Sequence, residues 1–130
     1  MTRLILLDTN VLIWALNDDR SLTRRMRTAI TSAAADVHVS VVSAWEIAIK
    51  HQSGKLRLDV PVEAVLSRVL GGTVWPVLPV LPAHIPELLA VPMHHRDPFD
   101  RLLIAQARAE GMALAAADDN IRRYRVPMAW

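Results

Sequence analysis

Near the start of the chain an unbroken apolar run, Leu4-Ile5-Leu6-Leu7, leads directly into Asp8-Thr9-Asn10. A short continuous run of this kind is the pattern of a strand buried on both faces, the habit of parallel sheets, and it predicts a strand over Arg3–Asp8. Helical spacing follows. Val11, Trp14 and Ala15 share one face of a helix expected over Asn10–Asn17. A second helix is expected over Thr23–Ala35, with Ser21 or Thr23 as its cap. The β-branched stretch Val37–Val42 reads as a second strand. Helices over Ser43–His51, closed by Gly54, and over Pro61–Leu70, stopped by Gly71-Gly72, come next. Val74–Leu81 is interrupted by proline and predicts at best a short edge strand. Ala83–Ala90 reads as helical despite Pro86. Pro98–Glu110 is a strongly patterned helix ended by Gly111, Met112–Ala117 a strand, Asn120–Tyr124 a helical turn, and Val126 onward a last strand. Strands alternating with helices predict an α/β domain, a three-layer α/β/α sandwich around a mainly parallel sheet.

Composition narrows this picture. At 130 residues, 52% of them hydrophobic, the chain reads as one domain, 1–130, able to bury a real core. There is no cysteine, which excludes disulfides and thiolate metal sites. No apolar run approaches the roughly 18 residues of a membrane span. The beginning of the sequence has no long apolar stretch ahead of a cleavage site, so no signal peptide is expected and the cytoplasm is the expected compartment. A net charge of +2 is only mildly basic. Its arginines cluster, however, at Arg20, Arg24, Arg25 and Arg27 and at Arg122, Arg123 and Arg125. Charge alone favours solvated helix faces and a basic tail over a polyanion-binding rim.

The acids change that balance. Leu4–Asp8 has a counterpart in ALAAADDN, where an apolar strand runs into Asp118. Ligands of open parallel sheets bind beyond the carboxyl ends of the strands, where both acids would lie, although either alone reads equally as a helix cap. Glu46 fits a capping box with Ser43, reaching back to the Ser43 amide. It also sits near the start of a mostly apolar helix, aimed over the sheet ends. Asp97 before Pro98 reads chiefly as an N-cap. Asp100, three residues on, has Leu103, Ile104 and Ala107 as its helix-face neighbours and therefore faces the core. A buried carboxylate normally pairs or binds a metal. Asp8, Glu46, Asp100 and Asp118 can thus converge, and like charges so gathered call for a cation. Oxygen donors suit Mg²⁺ or Mn²⁺, a centre fit for in-line displacement at phosphorus, with arginines on the phosphate backbone.

The stretches LLDTNVLIWAL, SVVSAWEIAIKHQSGKL, HHRDPFDRLLIAQARAEG and ALAAADDN together resemble the PIN-domain ribonucleases, in particular the VapC-type toxins of bacterial toxin–antitoxin systems. They span nearly the whole chain in the family's order. The resemblance implies Mg²⁺- or Mn²⁺-dependent endonuclease cleavage of RNA, homodimers, and inhibition by a small cognate antitoxin that also binds operator DNA. It carries the family's acids to Asp8, Glu46, Asp100 and Asp118, with Asp97 accessory, Ser43 beside Glu46, and Asn10 orienting Asp8. One position departs: Ala116 stands where the family usually has Thr or Ser two residues before the last acid. Asp119 leaves the register of that acid open.

Other residues read more simply. His94 and His95 are adjacent, point apart, and fit loop or capping roles better than a metal pair. Trp14 and Trp45 sit on apolar helix faces and read as core or interface; Trp75 and Trp130 carry no assignment. Lys50 and Lys55 read as solvated lysines in preference to phosphate contacts. Two competing functions remain. A response-regulator receiver would need a mid-chain strand ending in a phosphoacceptor Asp, which the sequence lacks. A non-catalytic PIN module that only binds its antitoxin is kept open by Ala116.

Overall fold

The computed structural model describes residues 2–93, 97–118, 121, 124 and 126–130. The expectations for His94, His95, Asp119, Asn120, Arg122, Arg123 and Arg125 lie outside the described residues. The chain runs β1 (Arg3–Leu7), α1 (Thr9–Asn17), α2 (Arg24–Thr31), β2 (Ala35–Ser40), α3 (Val41–Gln52), α4 (Val62–Leu70), β3 (Val77–Leu78), α5 (His84–Glu87), a 3-10 turn (Leu88–Ala90), α6 (Pro98–Glu110) and β4 (Ala113–Ala115). The sheet order is β3-β2-β1-β4, and every pairing is parallel.

Alternation along β1 divides the interior in two. Ile5 and Leu7 face one side and pack with Val11 and Leu12 of α1, Ile30 of α2, Ile47 of α3, and Val65 and Val69 of α4. Leu6 faces the other and packs with Leu103, Ile104 and Ala107 of α6, Leu114 of β4 and Val91. Helices therefore cover both faces, giving three layers. The apolar opening run is solvent-free from Ile5 to Leu7, as a central parallel strand requires; only Leu4 reaches the surface.

Several boundaries differ from the sequence reading, each for a local reason. α2 takes Thr23 as its cap but stops at Thr31, because Ala35 already pairs with Arg3 in the sheet. The β-branched run 37–42 straddles a boundary. Ser40 ends β2 and caps α3 by accepting the Val42 amide at 3.0 Å, so α3 begins at Val41 and Ser43 is not its cap. The helix expected over Ala83–Ala90 splits into α5 and a 3-10 turn; Pro86 is tolerated in the first turn of α5, where its missing N–H would have had no partner. β3 is a two-residue edge strand. The strand expected from Val126 reduces to one parallel bridge between Leu114 and Met128. α6 has the expected bounds, with Asp97 as cap and Gly111 at φ 66°, where only glycine is free of strain.

A buried polar chain joins the two layers of helices at the sheet's β2 side. Ser40 Oγ donates to Gln106 Oε1 at 2.6 Å, and Gln106 Nε2 donates to the Pro79 carbonyl at 3.2 Å. His84 Nδ1 accepts the Leu81 amide at 3.0 Å, so its proton sits on Nε2 and points to Glu110 Oε2 at 2.8 Å. Ser40, His84 and Gln106 are all fully buried. Replacing Gln106 with Met keeps the volume but strands the Ser40 hydroxyl and the Pro79 carbonyl. We expect this change to lower unfolding stability by about 2–3 kcal/mol, read as a lower urea midpoint at unchanged m value.

Candidate functional site

The strand order defines where a site belongs. The chain moves outward from β1 to β2 to β3, then returns to place β4 on the other side of β1. The crevice beyond the carboxyl ends of β1 and β4 is therefore a topological switch point. Asp8 lies at its β1 wall, with its own amide donating to the Ala115 carbonyl of β4 at 2.9 Å. Asp118 follows β4 and is exposed. α3 delivers Glu46 and α6 delivers Asp100.

Asp8 holds two roles that the sequence left as alternatives. Its Oδ1 accepts the Val11 amide at 2.8 Å and caps α1. Yet only 4% of the residue is exposed. Burial pushes its pKa up to about 7; the Val11 hydrogen bond opposes this, and the negative charges of Asp100, Glu46 and Asp118 add to it. The four acids thus share one electrostatic neighbourhood. They do not close into a ready chelate, since no group of three or more acidic or histidine side chains among the described residues is spaced to hold a metal ion.

Glu46 is 4% exposed and engaged at both oxygens. Thr9 Oγ1 lies 2.5 Å from Oε1 and 3.0 Å from Ser43 Oγ. A hydroxyl has one proton, so Thr9 gives its own to the carboxylate and takes that of Ser43. Oε2 faces Lys50 Nζ at 2.5 Å, one helical turn further along α3. Glu46 therefore does not reach back to the Ser43 amide. Lys50 also lies 3.5 Å from Asp97 Oδ2, and so is no solvated surface lysine. Burial works against its charge, but the hydrogen bond and charge of Glu46, then those of Asp97, outweigh it and raise its pKa above the usual lysine value.

Asp97 is the cap of α6, its Oδ1 accepting the amides of Phe99 at 2.9 Å and Asp100 at 3.3 Å. Asp100 is half-buried, less enclosed than its apolar helix-face neighbours predict. Arg101 donates to the carbonyls of Val91 at 3.1 Å and Leu88 at 3.4 Å. Asn10 is exposed on the first turn of α1. Ala116, buried and without a hydroxyl, uses its carbonyl to accept the Trp130 indole N–H at 3.1 Å. Trp14 and Trp75 pack half-buried against the first core. Trp45 is 55% exposed, which rules out the core half of its core-or-interface reading, and meets Phe99 edge-on at 4.9 Å between ring centroids.

Sequence reasoning missed Thr9, whose signal was its place between Asp8 and Asn10 in an unbroken polar triplet. It also passed over Lys50, whose signal was the i, i+4 spacing from Glu46.

A parallel sheet with acids gathered at its switch point places the protein among α/β domains that work at the carboxyl edge of the strands. The PIN domain family model matches residues 5–127, and the chain belongs to that family. Among solved structures, the chain is similar to the crystal structure of VapBC2 from Rickettsia felis bound to a DNA fragment from their promoter. The TM-score is 0.66 at 14% identity, over 96% of this chain and 96% of that one, a likeness of fold. No curated protein matches the sequence.

The raised pKa of Asp8 has a measurable consequence. Between about pH 4 and 7 the folded state holds a proton on Asp8 that the unfolded state has lost, so stability falls as pH rises through that window. Asp8→Asn keeps an oxygen for the Val11 amide and removes the charge. We expect its thermal midpoint to exceed that of the wild type by at least about 5 °C at pH 8 in EDTA, with the gap closing towards pH 4.

Proposed function

We propose that this chain is a metal-dependent endoribonuclease and the toxin of a VapC-type toxin–antitoxin pair. The reading is supported first by membership of the PIN family, whose domains are generally nucleases. One observation of the structure carries it further: Asp8 is buried at the switch point of the sheet, within the field of Asp100, Glu46 and Asp118. A divalent cation is the partner that makes such company favourable, and an all-oxygen donor set suits Mg²⁺ or Mn²⁺.

Asp8 and Asp100 are the residues that would hold the ion directly. Glu46 and Asp118 would hold a second ion or the attacking water, with Asp97, Ser43 and Asn10 as accessory groups around them. When bound, the ion supplies positive charge against the phosphate and makes a water more acidic. Asp8 would be held in position for it by the hydrogen bond from the Val11 amide. Thr9 keeps Glu46 oriented through its hydroxyl. The exposed arginines of α2, Arg24, Arg25 and Arg27, are available to an RNA backbone, although Arg27 also pairs with Asp18 at 2.6 Å. The VapBC2 likeness supports an antitoxin partner, and a homodimer in the cytoplasm completes the reading. No helix among the described residues is long and apolar enough to cross a membrane.

A second reading, a PIN module that binds its antitoxin but cuts nothing, is favoured by one observation: the described acids are not spaced as a closed chelate. Purified chain, freed of antitoxin and incubated with total RNA, separates the two. With Mg²⁺ or Mn²⁺ it should produce discrete cleavage products that EDTA abolishes. Asp8→Asn and Asp100→Asn should each slow cleavage by on the order of 10²–10³-fold while remaining folded. No cleavage in either metal, or full cleavage by folded Asp8→Asn, overturns the nuclease reading.

A further inference from the structure

The acidic crevice has two unlike sides. Around Asp8, the charges of the described residues that raise its pKa are the carboxylates Asp100, Glu46 and Asp118. Between Glu46 and the Asp97 cap of α6, a positive charge is already in place. Lys50 Nζ sits 2.5 Å from Glu46 Oε2 and 3.5 Å from Asp97 Oδ2, joining the side of α3 to the cap of α6. The oxygens on this side are occupied as well. Glu46 Oε1 takes the Thr9 hydroxyl, and Asp97 Oδ1 takes two amides of α6. An ion arriving here would have to displace an ammonium group and a hydroxyl from carboxylates they already satisfy, and would be repelled by the ammonium if it stayed.

We propose that Lys50 is a built-in cation that stands in place of a second metal ion. It holds Glu46 and Asp97 as positioning carboxylates, so the crevice takes one divalent ion, on Asp8 and Asp100. This rests on the metal-dependent reading above and decides between its two versions of Glu46: the residue serves the water and the scaffold, not an ion. The helix makes the arrangement durable. Glu46 and Lys50 are one turn apart on α3, so their pairing needs no contact from elsewhere, and Asp97 is fixed by its own capping bonds.

The test is the number of Mn²⁺ ions bound per chain, counted by calorimetry and by the electron paramagnetic resonance of free Mn²⁺, on the full chain without antitoxin at pH 7.5. The wild type should bind one. Lys50→Arg, which restores the charge, should also bind one. Lys50→Met should bind two, because Glu46 and Asp97 are then free to serve an ion. The double variant Glu46→Gln, Lys50→Met removes both charges of the pair and guards against misfolding of the single change. It should return to one ion with a Kd within about 3-fold of the wild type, well under the tenfold of a lost ligand. Two ions on the wild type, one on folded Lys50→Met, or no ion on the folded double variant overturns the inference and leaves the nuclease reading standing. No ion on the wild type overturns both.

Discussion

The structure depends on a carboxylate placed where ionising it is costly. Asp8 closes a strand whose last three residues are sealed from water on both faces, and it inherits their surroundings. Transfer of a charge into such a place is unfavourable without a partner. What surrounds it follows as compensation: the Val11 amide offered to its oxygen, Thr9 turned to quiet Glu46, and Lys50 drawn in behind Glu46 from the outside. Each device reduces the mutual repulsion without abolishing it.

The scaffold holds this arrangement by splitting its core. Because β1 sends Ile5 and Leu7 to one side and Leu6 to the other, a slip of one residue would exchange the two interiors, and register is strongly specified. The polar chain Ser40–Gln106–His84–Glu110 adds a second constraint, tying the start of α3 to the middle of α6. These are the helices that carry Glu46 and Asp100, so the spacing across the crevice is set by buried hydrogen bonds that any displacement would break.

Much of this was legible from the sequence because its strongest signals are local. A four-residue apolar run, a Pro at the first turn of α6 and a Gly at its end need no tertiary knowledge, and the corresponding elements formed where the pattern placed them. Boundaries were less legible where one property served two elements. The β-branched stretch 37–42 ends a strand and begins a helix, and only the Ser40 cap, chosen over Ser43, marks the change. Asp8, Asp100 and Asp118 drew notice because each followed an apolar run or opened a helix, and Glu46 because its helix was expected to start at Ser43, two residues later than it does. Their unequal surroundings were not legible. Lys50 looked like any surface lysine until α6 brought Asp97 beside it, and nothing local in the sequence singles out Gln106, whose partners come from β2, the Pro79 carbonyl and α5. The Trp130–Ala116 bond joins positions that only the folded chain brings together.

β1 lies inside the sheet, and its neighbour β4 comes more than a hundred residues later in the chain. Proteins are made from the amino end, and a parallel neighbour cannot be borrowed from nearby sequence. A nascent chain therefore carries Asp8 with one wall of the crevice missing until Ala113–Ala115 has been made. The order of synthesis therefore acts as a delay, because the switch-point crevice cannot close before the β4 residues Ala113–Ala115 exist.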